Sequence, residues 1–279
     1  MTQRGETSLP SDNDQNWAGW PIATAQAVRF YSRLPVPALP GEADPHAAPD
    51  FRLMPRALPF AAAIIALPAM AVAALASALA LPPMLVAALT LAALTLSTGA
   101  FHEDGLADSF DGLFGGHDKD RRLEIMKDSR IGTFGGCALM LAYLLRFSCL
   151  VALVEEGGTG ILLAALMVAA IWSRVLGIHV LAIDPPARAY GALATVGMPT
   201  ITTARIALGL GAGLCLVAAL LGGAPPGGLM IGLALAALAA LGMAATARRL
   251  IGGPTGDIAG AVQQLAEIAV YLGIVLALV

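Results

Sequence analysis

The sequence predicts an all-α, polytopic membrane helical bundle of about seven transmembrane helices with an amphipathic N-terminal segment. Composition is the first reason: 58% of the 279 residues are hydrophobic and 13% charged, with a mean hydropathy of +0.78, outside the range of water-soluble domains. The second is that Ala57 to Phe101 and Ile206 to Ala247 each pass without a single Asp, Glu, Lys or Arg. A spanning helix needs roughly 20 apolar residues, so each stretch holds two spans. A soluble helical protein would show polar outer faces at a 3.6-residue period, whereas these segments are apolar all round.

Residues 1–16 are polar and read as a disordered tail; 17–279 read as one integral membrane catalytic domain. The first fifty residues lack the apolar core of a cleavable signal peptide. Trp17 to Pro37 mixes Trp17, Trp20, Phe30 and Tyr31 with Arg29 and Arg33, a composition suited to a segment lying in the membrane interface. Pro82-Pro83 breaks the first long apolar stretch, and the run Gly222 to Gly228, with Pro225-Pro226 inside it, breaks the second. Both stretches therefore read as helical hairpins. Apolar segments at 133–154, 160–182 and 258–279 add three further spans.

The basic residues orient the bundle. None falls in the connections 81–83, 155–159 and 222–228, while Lys and Arg populate the N-terminal region, 102–132, 183–204 and 248–257. By the positive-inside rule the first group is external and the second cytoplasmic, the alternation that seven spans require. The expected location is the bacterial cytoplasmic (inner) membrane, with the active site facing the cytoplasm. Cys137, Cys149 and Cys215 lie in apolar segments without metal-ligand spacing and read as packing residues. The net charge of −3 says little by itself, and no nucleic-acid partner is expected.

One cytoplasmic loop, 102–132, concentrates the candidate chemistry. Its first half runs His102-Glu103-Asp104-Gly105-Leu106-Ala107-Asp108-Ser109-Phe110-Asp111-Gly112. On a helix Asp104, Asp108 and Asp111 share one stripe at i, i+4 and i+7. Three like charges there, with no interleaved Lys or Arg, call for another cation, and Mg²⁺ or Mn²⁺ suits a hydrated all-oxygen site. The bland reading is a solvated acidic face. It fits less well because Leu106, Phe110, Leu113 and Phe114 interleave with the acids. His102 is a candidate acid/base or metal neighbour.

The second half of the loop is basic, with Arg121, Arg122, Lys127 and Arg130 around Asp128. Carboxylates that hold a metal beside Lys and Arg make the arrangement that phosphoryl transfer needs. Asp128 is a candidate fourth metal ligand beside Asp104, Asp108 and Asp111. Gly132, with Gly135 and Gly136, offers backbone N–H groups to a phosphate, although close helix packing explains small residues equally well. Ionisable residues inside apolar segments are functional candidates by default. Arg174 is expected to reach a substrate phosphate, and Arg146 to snorkel outward. Asp257, in Gly252-Gly253-Pro254-Thr255-Gly256-Asp257, is either a helix cap or part of the substrate site.

Phe101 to Gly112, Glu124 to Gly132 with the glycines after it, Arg33-Leu34-Pro35-Val36-Pro37 and Gly252 to Asp257 together resemble the cobalamin-5'-phosphate synthase family, also called adenosylcobinamide-GDP ribazoletransferases. The likeness covers nearly the whole chain, with the motifs in order. It implies a Mg²⁺-dependent transferase of late cobalamin biosynthesis, joining adenosylcobinamide-GDP to α-ribazole 5'-phosphate or α-ribazole and releasing GMP. On this reading His102, Asp104, Asp108 and Asp111 are catalytic, while Arg33, Lys127, Arg130, Gly132, Arg174 and Asp257 bind substrate. Glu103 departs from the family's usual apolar residue, and either joins the acidic site or faces solvent.

Asp108-Ser109-Phe110-Asp111-Gly112 also reproduces the opening of the CDP-alcohol phosphotransferase motif, but the later acidic repeat of that motif is missing. A cation-coupled transporter is the third reading, and its carboxylates belong near the membrane midplane. The expected partners are the two substrates and the lipid bilayer. A homo-oligomer is compatible with the sequence.

Overall fold

The computed structural model describes residues 17–42, 44–188 and 196–279; the tail expected at 1–16 lies outside them. Among the described residues the secondary structure is entirely helical. The helices are α1 (Trp20–Tyr31), α2 (Leu58–Ala78), α3 (Pro83–Thr98), α4 (Phe101–Gly115), α5 (Lys119–Ile125), α6 (Thr133–Ala152), α7 (Gly158–Ile183), α8 (Ile201–Gly222), α9 (Pro226–Ile251) and α10 (Gly256–Val275).

The breaks fall where backbone chemistry demands them. Pro83 and Pro226 open α3 and α9, at the position where a missing N–H costs nothing. Gly223 and Gly252, at φ +73° and +84°, close α8 and α9 in the left-handed conformation. Gly99 and Ala100 are both left-handed, and there the chain turns 87° from α3 into α4.

Five helical stretches among the described residues are long and apolar enough to cross a membrane, or six if the bent pair α3 and α4 makes one broken span. One of the five, Thr133–Ile183, runs 51 residues through α6, a π turn at Leu153–Gly157 and α7. Leu75, Leu96, Met140, Leu220, Leu221 and Leu238 are exposed on the outer surfaces of these helices. Such an apolar belt is unfavourable in water and natural in lipid.

Close contacts sort the helix ends onto two sides. Gly160 lies against Gly222, Gly157 against Leu278, and Gly228 against Ala277. On the opposite side Asp184 pairs with Arg248, the Ala187 N–H donates to the Pro254 carbonyl, and Arg122 reaches the Leu113 and Leu250 carbonyls. The helix α10 is the hub, packed by α9, α7, α4 and α6. At its crossing with α9, a Cβ on Gly273 would overlap the Gly232 backbone; the two glycines let the helices touch.

The first expected hairpin, α2 with α3, packs on itself. The second opens out, with α8 packed along α7 and α9 along α10. The N-terminal segment is less peripheral than its composition suggests. Helix α1 buries Ala23, Ala27, Val28 and Tyr31 against Phe51, Ala57, Leu58 and Ala61, and Trp17 stacks under the Arg56 guanidinium.

A candidate active site

Helix α4 is held at three points. Near its start Glu103 is paired with Arg146 of α6. In its second turn Gly105 crosses α10: an added Cβ would stand 3.0 Å from the Asp257 carbonyl oxygen and 3.2 Å from Gly260 Cα. In its last turns the Asp111 carboxylate accepts from the N–H groups of Gly132 and Gly135, at 2.7 and 2.8 Å, and so caps the start of α6. Asp104 and Asp108 project between these anchors.

Beside them, at the end of the bundle where α7 finishes and α10 begins, lies a cavity of about 440 Å³. Phe30, Tyr31, Phe51 and Phe101 form an aromatic wall; His102, Asp104, Arg174, Arg188, Asp257 and Gln263 are its polar lining. The His102 ring is stacked parallel to Tyr31, with centroids 5.8 Å apart. Asp108 feels the charges of Asp104, Asp257 and Asp111, offset by Arg188. Thr255, not Asp257, caps α10 by accepting from the Ile258 N–H. That leaves Asp257 to face the cavity.

The acidic stripe is therefore split by environment. Asp104 is exposed and Asp108 half-buried, while Asp111 is buried and spends both oxygens on backbone donors. Among the described residues no three His, Cys, Asp or Glu side chains stand close enough to hold a metal ion unaided. Asp128, expected as a fourth ligand, sits in an exposed turn. There the Arg130 guanidinium clamps it at 2.6 Å and holds its carboxyl down at about 2.

The expectations for Gly132, Arg146 and Glu103 need correction. The Gly132 N–H is taken by Asp111 and is not presented to a phosphate. Arg146 does not snorkel: it is 1% exposed, contacts Glu103 at 3.2 Å and Glu267 at 3.5 Å, and lies over the Tyr143 ring. Glu103 accordingly neither joins the acidic site nor faces solvent. Arg130 and Lys127 are exposed and do not line the cavity, and neither does Arg33, whose side chain lies across Gly99. Arg174 does line it, at 5% exposure.

Sequence reasoning passed over Arg188, which appeared only as one basic residue among many. It also passed over the polar stripe of the last span, Gln263, Glu267 and Tyr271. There Gln263 Nε2 donates to Glu267 at 2.9 Å and the Tyr271 hydroxyl donates to Glu267 at 3.2 Å. The signal was present: three polar residues at i, i+4 and i+8 inside an apolar helix mark a face turned away from lipid.

The profile of the cobalamin-5-phosphate synthase family matches residues 23–275. A protein of Xanthobacter autotrophicus described as adenosylcobinamide-GDP ribazoletransferase is 48% identical over 250 residues, covering 90% of this chain and 94% of its own. One of the same description from Azorhizobium caulinodans is 45% identical with the same coverage. Another, from Rhizobium meliloti, is 42% identical over 264 residues, covering 91% of this chain and 96% of its own. No solved structure matches the chain at a significant level. A match of this extent means that the chain belongs to the cobalamin-5-phosphate synthase family.

Proposed function

We propose that the protein is a membrane-embedded transferase that joins adenosylcobinamide-GDP to α-ribazole 5'-phosphate, releasing GMP. The observation that carries this reading is the near full-length kinship with proteins described as adenosylcobinamide-GDP ribazoletransferases. The site agrees with it, since Asp104, Asp257 and Arg188 line an aromatic-walled cavity and Asp108 lies within reach of their charges.

The donor set fits Mg²⁺. The ion usually keeps several waters and is bound by one or two carboxylates plus substrate phosphates, so a complete protein cage is not required. Asp104 and Asp108, with Asp257 in support, would hold it; when bound it would neutralise the diphosphate of the activated corrinoid. The acceptor hydroxyl forms a new bond to the phosphorus on the cobinamide side. The P–O bond to GMP breaks, GMP leaves with the bridging oxygen, and His102 takes the hydroxyl proton. Arg188, beside the carboxylates, places a fixed cation near the departing phosphate.

The bundle is read as seven passes. At 1.5 Å per residue a 51-residue stretch would run roughly 77 Å, more than twice the hydrocarbon thickness of about 30 Å. Thr133–Ile183 is thus two passes meeting at the π turn, and α3 with α4 makes one broken pass. The cavity then faces the cytoplasm and the C-terminus lies outside the inner membrane.

Membranes containing the protein, given adenosylcobinamide-GDP, α-ribazole 5'-phosphate and Mg²⁺, are expected to release GMP and cobalamin 5'-phosphate in equal amounts. Absence of both products from folded protein refutes the reading.

A further inference from the structure

Arg174 is the feature that the proposed reaction leaves unused. It stands on α7 nine residues in from Ile183, whereas Asp257 occupies the first turn of α10 at the cavity's mouth. Arg174, Gly177, Ile178 and Leu181, on one face of α7, form the cavity's inner wall. The guanidinium donates from Nη1 to the Ala170 carbonyl of its own helix at 3.0 Å, and its Nε has no hydrogen-bond partner among the described residues. Glu103 and Glu267 are near but are in direct contact with Arg146 instead. A buried guanidinium with donors to spare, on the inner wall of a cavity, is a site for a planar or tetrahedral anion.

Resting on the reading above, we infer that Arg174 binds the phosphate of the acceptor nucleotide that survives the reaction, and so sets the preference for a phosphorylated over an unphosphorylated acceptor. The space agrees: about 440 Å³ suits a ligand of mononucleotide size, at the small end of ligand cavities. Phe30, Tyr31, Phe51 and Phe101 line the cavity with aromatic surface that suits an aromatic base. The acidic residues and Arg188 are committed to the donor diphosphate at the mouth. The deeper cation is left for the second, unreacting phosphate, the one retained in a cobalamin 5-phosphate product.

The test uses the full-length protein with adenosylcobinamide-GDP and Mg²⁺, GMP release being measured with α-ribazole 5'-phosphate and, separately, with α-ribazole. Arg174→Gln is expected to lower the ratio of the two kcat/KM values by roughly ten-fold or more, the scale of one charge-assisted hydrogen bond. Arg174→Lys is expected to restore part of the ratio. Equal losses on both acceptors overturn the assignment, because a merely structural residue does not distinguish them. Titration of the wild-type protein with each acceptor, without donor or Mg²⁺, decides the matter even if neither variant folds: tighter binding of the phosphorylated acceptor by roughly ten-fold supports the site, and equal affinity overturns it. Failure of the wild-type protein to release GMP with either acceptor defeats the proposed reaction, whereas GMP release with an unchanged ratio in Arg174→Gln defeats this inference alone.

Discussion

Glu103 of α4 and Arg146 of α6 form an ion pair at 3.2 Å that is almost wholly withdrawn from solvent, and Glu267 of α10 contacts the same guanidinium at 3.5 Å. Three helices are thus tied at a point one residue before Asp104. In a low-dielectric interior such a pair stabilises little relative to apolar packing, but removing one partner leaves an uncompensated charge.

Arg146 is therefore expected to tolerate substitution badly. Arg146→Met should destabilise the folded protein by about 3 to 5 kcal/mol through the two stranded carboxylates, seen as a lowered Tm in detergent. Arg146→Lys, which cannot reproduce the planar fork, should recover only part of it. A Tm unchanged in both variants contradicts the buried pairing.

Asp104 and Asp108 should behave oppositely to Arg146. Asp104→Asn and Asp108→Asn remove like charges that repel one another, so Tm should hold or rise while turnover is lost or requires far more Mg²⁺. Asp128→Asn should leave the Mg²⁺ dependence unchanged, because Arg130 keeps that carboxylate ionised and occupied down to about pH 2. A raised Mg²⁺ requirement in Asp128→Asn returns that residue to the metal site.

Asp111 separates the two roles within one stripe. Its carboxylate caps α6, so Asp111→Ala should cost about 1 to 2 kcal/mol of stability, with Asn, which keeps one acceptor oxygen, in between. If Asp111→Ala melts like the wild type, the cap is not formed.

The crossing of α9 and α10 allows no side chain at Gly273. Gly273→Ala should push the helices apart at a cost of about 1 to 3 kcal/mol, whereas Gly242→Ala, where an added Cβ meets none of the described residues within 4 Å, should be neutral or slightly stabilising. Equal thermal stability of the two variants removes the close crossing.

Topology has its own readout. A reporter fused after Val279 should be active in the periplasm, and one inserted at 117–118, between α4 and α5, should be active in the cytoplasm. Cytoplasmic activity of the C-terminal fusion changes the count of passes or their direction.

The sequence by itself determined that this chain lives in a membrane, where its helices break and where its candidate chemistry is concentrated. Those properties are local: an unbroken apolar run, a Pro-Pro or Gly-rich interruption and an acidic stripe at helical spacing mean much the same whatever packs against them. The family's motifs were legible for the same reason. What only the tertiary structure decided was which of those charges are spent on holding the fold. Asp104 and Asp111 are equivalent in sequence, yet one is exposed at the cavity and the other caps α6 from 21 residues away. Arg146 and Arg174 are both cations in apolar helices, yet Glu103 and Glu267 close on the first and leave the second facing the cavity. A carboxylate or guanidinium has a fixed capacity for hydrogen bonds and charge, and distant residues brought in by folding determine whether that capacity is used internally or left for a ligand.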